Sequence, residues 1–215
     1  MSDFDFLKSE IEDSFISADN LKHSSTGDGR LDSAESEIVV VEHLKELFAD
    51  SIVTVKVAPR PRYWYDVLLE LNGKSYPVNV KITSGAQADN VSSKEGLFYT
   101  LTGMWPEKVS GLNRWNSYNT LLTENLNFNT DGDYFFVVYF KEEGTFLFTS
   151  LKHIDTLVAN GNNLPFQCKW KDNYEFTSRT PEEQCQYLMD IYFDSWLKKV
   201  GGFEPLMNWK THNSK

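Results

Sequence analysis

Cysteine is nearly absent from this chain of 215 residues. Only Cys168 and Cys185 are present, too few for a disulfide framework and without the paired spacing of a zinc site. Histidine is as scarce, and His23, His43, His153 and His212 show no ligand spacing. No apolar run approaches the roughly 20 residues of a membrane span. No signal-peptide pattern opens the chain. A Gly-rich phosphate loop is missing too, because Gly201-Gly202 follows a helical stretch instead of opening one. These absences argue against a disulfide-stapled module, a structural zinc domain, a helical membrane protein and P-loop chemistry. The expected setting is reducing and cytoplasmic.

Aromatic residues are plentiful: 15 Phe, 10 Tyr and 6 Trp. Such a composition packs a core and argues against disorder. The net charge of −10 is unusual for a nucleic-acid partner, but it is unevenly spread. Residues 1–50 carry −9, residues 51–130 carry +2 and residues 131–215 carry −3. A locally positive cleft on an acidic body can still bind DNA.

The net-positive third contains the strongest local signal, DVLLELNGKSYPVNVK at residues 66–81. Asn72-Gly73 between two apolar-rich runs predicts a hairpin with a two-residue type I′ turn. Such a turn fixes the register. Leu71 faces Lys74, Glu70 faces Ser75, and Asp66 falls opposite Asn79. Lys81, two residues on, points to the same face, while Val78 and Val80 point into a core. A carboxylate, an amide and an ammonium are thereby expected together.

Around the hairpin the patterning is of the α/β class, in one domain over residues 1–215. A short amphipathic helix is expected over residues 4–22 and a polar loop over 23–30. A helix over 33–50, N-capped by Ser33, has the inward stripe Glu37, Val40, Val41, Leu44, Phe48. Residues 52–57 read as a strand. Pro59 and Pro61 make an irregular approach to Asp66, and Arg60 and Arg62 are candidates for phosphate contacts. Pro77 cannot donate a ladder bond, so it either sits where no donor is needed or interrupts the pairing locally. Residues 82–96, ITSGAQADNVSSKEG, form a polar stretch of functional-loop character. Within it Gln87, Asn90, Ser92, Ser93 and Lys94 suit base edges and phosphates. Arg114 precedes a helix over 118–124. Residues 134–140 and 144–151 read as paired buried strands and 166–176 as a further strand. Thr180, Pro181 and Glu183 open a final helix with a capping box. Leu188, Tyr192 and Leu197 give it an apolar side.

Asp66, then a dozen residues, then Asn79-Val80-Lys81 resembles the PD-(D/E)xK nuclease motif. Asn79 stands where that family has Asp or Glu. Glu37, on a preceding helix, matches an acid that the family carries on its first core helix. The layout is similar to small type II restriction endonucleases of the EcoRV-like, blunt-cutting branch. The resemblance implies a restriction-endonuclease-like core, a mixed central β-sheet flanked by helices. Residues 33–100 would hold the catalytic motifs. Residues 101–215 would supply the remaining sheet, the C-terminal helix and further DNA-contacting elements. It also implies Mg²⁺ at Asp66, Asn79 and Val80, Lys81 as the catalytic lysine, and Glu37, with Glu35 in reserve, assisting. The polar loop from Gln87 to Lys94 and Arg179 in NYEFTSRTPEE would face DNA. The implied partner is double-stranded DNA, read as a short palindrome by a homodimer, with no membrane role.

An amide at position 79 removes one negative charge from such a site. Three readings stay open: an Asp→Asn replacement, a natural site in which Glu37 or Glu35 supplies the carboxylate, or an accidental motif match. The functional alternatives are a DNA-binding protein on a nuclease-like fold with a decayed site, and an interaction protein unrelated to nucleic acid.

Overall fold

Asn72 and Gly73 both take positive φ, +50° and +77°, as a type I′ turn requires. The turn joins β2 (Val67–Leu71) to β3 (Lys74–Thr83). Leu71 pairs with Lys74 and Glu70 with Ser75, as the sequence predicts. The structure, a computed structural model, describes residues 1–16, 29–91, 93–162 and 165–201. The side chains of residues 29–35 and 201 lie outside that description.

Pro77 does not interrupt the ladder and pairs with Leu68, the tolerated case of the two left open. Counted outward from Leu71–Lys74, position 77 is a non-hydrogen-bonded one toward β2. The parallel ladder on its other side begins only at Val78. The missing N–H is therefore not needed on either side.

Three more strands complete the main sheet: β1 (Thr54–Val57), β5 (Phe135–Phe140) and β6 (Thr145–Ser150). Their order is β1-β2-β3-β5-β6. The β3–β5 pair is parallel and the other pairs are antiparallel. A second, small sheet has β8 (Phe166–Cys168) between β4 (Asp89–Asn90) and β7 (Val158–Ala159).

Strand alternation divides the apolar side chains between two cores. Tyr76, Val78 and Val80 pack with Leu7 and Ile11 of α1 (Asp3–Glu12) and with Val40, Val41 and Leu44 of α2 (Gly29–Leu47). Leu68, Phe136, Val138 and Phe140 face the other way. They pack with α3 (Lys94–Thr102), α4 (Trp115–Glu124), the second sheet and α5 (Pro181–Gly201). The result is a mixed α/β domain with a mixed central sheet flanked by helices. Among the described residues no helix is long and apolar enough to cross a membrane.

The first helix also seals the sheet. Glu12 Oε1 accepts the backbone N–H of Phe148 on edge strand β6 at 2.8 Å. Covering an edge in this way removes a site for unwanted strand pairing. At the other end of the helix, Asp3 accepts from Asn72 Nδ2 (2.8 Å) and from the Tyr76 hydroxyl (2.9 Å). Those two bonds hold its carboxyl below the usual range.

Several boundaries differ from the sequence reading. The first helix ends at Glu12, and residues 17–28, which include most of the expected polar loop, lie outside the described set. The second helix begins at Gly29, so Ser33 is inside it and does not cap it. The expected strand over 166–176 stops at Cys168 and gives way to a 3-10 turn, Trp170–Asn173. Buried Asn173 closes that turn, its Nδ2 donating to the Lys169 carbonyl (3.0 Å), and ties it to the chain at Asp155 and Thr156, whose N–H groups its Oδ1 accepts (3.0 and 2.8 Å). The final helix begins as read, with Thr180 and Glu183 exchanging capping bonds of 2.8 and 3.2 Å. Leu197, however, is 48% exposed and not part of its buried side.

A Cβ built at Gly73 meets nothing within 4 Å, so only backbone conformation opposes a side chain there. Gly73→Ala is expected to cost about 1–2 kcal/mol, the penalty of a left-handed L-residue. Denaturant unfolding measures it, and a much larger loss would show that the turn also carries packing.

Candidate active site

Asn79 and Lys81 share the face of β3 opposite Val78 and Val80. Asp66 reaches that face by a local irregularity. Its N–H bonds to the Val78 carbonyl at 2.9 Å, while Val67 also pairs with Val78. Two residues against one is the pattern of a β-bulge, a device that re-aims a side chain. Asp66 Oδ2 then accepts from Asn79 Nδ2 at 2.7 Å and from the Val80 N–H at 2.8 Å.

The electrostatics follow from burial. Asp66 is pushed up by desolvation, partly offset by the Val80 N–H and the Lys81 charge. Lys81 is pulled below its ordinary value by desolvation, against the attraction of Asp66, Glu37 and Asp89. A lowered lysine beside a raised carboxyl is the kind of perturbed pair that clusters at functional sites.

Asp89 and Tyr134 are the residues that sequence reasoning missed. Asp89 lies on β4, paired with Cys168 of β8. Its Oδ2 is buried with no hydrogen-bond partner among the described residues. The Cys168 thiol, pushed well up by burial and then by Asp89, belongs to the same surroundings. Tyr134 is fully buried, and its hydroxyl donates to the Trp64 carbonyl. Burial and, next, the Asp66 charge raise it well above an ordinary phenol, while Ser93 and Asn79 pull in the opposite direction. Gly96 of α3 makes room for this ring, since a Cβ there would lie 2.6 Å from Tyr134 Cδ1. An acidic residue in the polar stretch was the available signal for Asp89. A two-residue strand has too little pattern to show where that acid points.

The remaining candidates separate. Glu37 sits on α2, which covers the opposite face of the sheet, and its charge acts on Lys81. It lines a groove of 680 Å³ with Asp66, Arg60, Arg62 and Tyr65. The Glu35 side chain and Ser92 lie outside the described residues. Arg60 and Arg62 are exposed, and Arg62 takes φ +58°. That conformation costs a residue other than Gly about 1–2 kcal/mol.

The stretch over 82–96 is partly structured, not a free loop. Gln87 is exposed. Asn90 Oδ1 accepts from Asn160 Nδ2 (2.8 Å) and Gln167 Nε2 (3.2 Å). Ser93 caps α3 by accepting from the Gly96 N–H at 3.0 Å. Lys94 donates to the Leu112 carbonyl and lies 5.2 Å from the Trp115 ring centre. Arg114 is exposed at the start of α4. Arg179 is spent internally. It donates to the Asp155 carbonyl (2.9 Å) and Gln184 Oε1 (3.1 Å) and stacks 3.9 Å from the Tyr187 ring centre.

The chain matches no protein-family model and no curated protein sequence.

Among the described residues no three His, Cys, Asp or Glu side chains gather into a metal-binding group. The donors at the site are instead the Asp66 carboxylate, the Asn79 amide and the backbone at Val80. These oxygens suit a hard cation that keeps several waters, as Mg²⁺ does with one or two carboxylates. They provide one charge fewer than an acid pair, and the Asn79 amide must turn its oxygen inward to take part.

Asn79→Asp sets a second carboxylate where an N–H donor now lies 2.7 Å from Asp66 Oδ2. In EDTA the variant is expected to lose on the order of 1–3 kcal/mol, the penalty for an unsatisfied buried acceptor. Mg²⁺ should restore its thermal midpoint more than it raises that of the parent chain. A loss that Mg²⁺ leaves untouched would count against a cation site here.

Proposed function

We propose that the chain is a Mg²⁺-dependent endonuclease of double-stranded DNA, of the type II restriction class, on a restriction-endonuclease-like core. It acts as a homodimer on a short palindrome, since a two-fold protein matches a two-fold site. One observation carries this reading. Asp66, Asn79 and Lys81 share one face at one sheet end, with Asp66 fixed by bonds of 2.7 and 2.8 Å.

Each residue then has a role. Asp66 anchors the cation, with Asn79 and Val80 beside it. The bound Mg²⁺ supplies Lewis-acid polarisation of the phosphate and activation of water. Lys81 donates toward the charge that builds on the phosphate oxygens, and its lowered proton affinity suits it to exchange a proton with the attacking water. Glu37 and Asp89, with Asp66, oppose the desolvation that lowers the proton affinity of Lys81. Arg60 and Arg62, exposed on the same rim, offset the repulsion that the carboxylates impose on an approaching phosphate.

A second reading, a sequence-specific DNA-binding protein with a decayed site, is favoured by one detail. The Asn79 N–H already satisfies Asp66 in the way a cation otherwise would. The two readings differ in what Asn79→Asp does. A decayed site stays inactive, whereas an impaired one gains activity.

Plasmid DNA incubated with the protein and Mg²⁺ is expected to yield discrete bands. Lys81→Ala should lower that rate about 10²–10⁴-fold, the range of a lost acid–base group. Agarose gels with end sequencing read both. No binding of any duplex at low salt would sink the nuclease reading and the DNA-binding one together.

A further inference from the structure

We propose that the turn over residues 59–63 is a rigid clamp for the DNA sugar–phosphate backbone, with Arg62 as its gripping residue. The inference rests on the nuclease reading and deepens it. The loop joining β1 to β2 is closed at its base, where the Ala58 N–H donates to the Asp66 carbonyl at 2.9 Å. Its returning arm is anchored by buried Trp64 and Tyr65. Trp64 Nε1 donates to Glu107 Oε1 at 2.5 Å, and the Tyr63 hydroxyl donates to the same oxygen. Pro59 and Pro61 restrict φ on either side of Arg60. At the apex Arg62 holds φ +58°, a conformation that Gly or Asn adopts far more readily.

A loop this well pinned has no folding need for an arginine at its apex. Arg62 is exposed, and neither it nor Arg60 forms an ion pair among the described residues. Arg60 lies over the Tyr63 ring, 5.8 Å from its centre. The turn forms a rib between two grooves that share Arg60, Arg62 and Tyr63. One, of 680 Å³, contains Glu37 and Asp66, and the other, of 500 Å³, contains Ser93 and Asn113. A phosphate approaching Asp66 meets carboxylates first, so cationic side chains on that rim must offset the repulsion. A planar guanidinium does this with two parallel N–H bonds to one phosphate. Strain retained at a functional rim is a known use of left-handed residues.

The test pairs stability with binding. Arg62→Gly and Arg62→Asn both suit the positive φ and remove the guanidinium. Thermal midpoints of the full chain, and anisotropy titrations of a short mixed-sequence duplex in EDTA over a range of KCl, are compared with the parent. The midpoints are expected to hold or rise. Duplex affinity at low salt should weaken on the order of tenfold. The slope of log affinity against log salt should fall by about one, the signature of a lost phosphate contact. Inorganic phosphate at matched ionic strength should compete little, because a single phosphate engages only part of the clamp. A drop in both midpoints would identify Arg62 as a structural brace and overturn the proposal. Unchanged affinity and slope would overturn it as well. Weakened binding in these variants, with no cleavage by the parent chain, would retain the clamp and remove only the nuclease reading.

Discussion

The two-residue turn at Asn72-Gly73 is the constraint on which the site depends. Both residues sit at positive φ, and the strands they join can pair in one register only. Strand side chains alternate with a period of two, so a slip of one residue would exchange the faces. Val78 and Val80 would then leave the α1–α2 core, and Asn79 and Lys81 would enter it. A buried apolar surface thus enforces the polar arrangement on its reverse side. The chemistry of the site is held in place by packing it does not touch.

From that register the structure departs once, at Asp66. The bulge opposite Val78 turns the carboxylate onto Asn79 and the Val80 N–H. Lys81 is then balanced by groups from three places: Asp66 on its own hairpin, Glu37 from the helix across the sheet, and Asp89 from the second sheet. Desolvation still outweighs these attractions, and the lysine stays below its ordinary proton affinity. The small second sheet therefore does more than cover a core. It brings in a further carboxylate, Asp89, whose charge acts on Lys81.

How legible this was depended on the length of each pattern. The hairpin, its register, the paired strands at β5 and β6 and the final helix with its cap were readable, because each rests on a strong local rule. The stretch after Lys81 was not. Two residues at Asp89-Asn90 pair with β8, nearly eighty residues away in sequence, and neither alternation nor propensity marks so short a strand. The same shortness hid Asp89. Lys94 and Arg179 looked like surface cations because their partners, the Leu112 carbonyl and the Tyr187 ring, come from elsewhere in the fold. The outcome at Pro77 was left open by the sequence, because it depends on which side of the strand its nitrogen faces.

Asn79 is best understood through the state without a cation. Two carboxylates at hydrogen-bond distance in a desolvated site repel, and one of them must take up a proton or a counterion. An amide removes that conflict, because its N–H donates to Asp66 and it carries no charge of its own. The site is thereby stable by itself, and its attraction for a cation is weaker for the same reason. Stability and cation affinity are opposed at this one position. An acid at 79 would favour the loaded state, and the amide favours the empty one. Asp89, outside the hairpin, adds negative charge near Lys81 without standing against Asp66 in the same way. That separation lets the fold keep an acidic field around the lysine while the hairpin itself remains free of paired like charges.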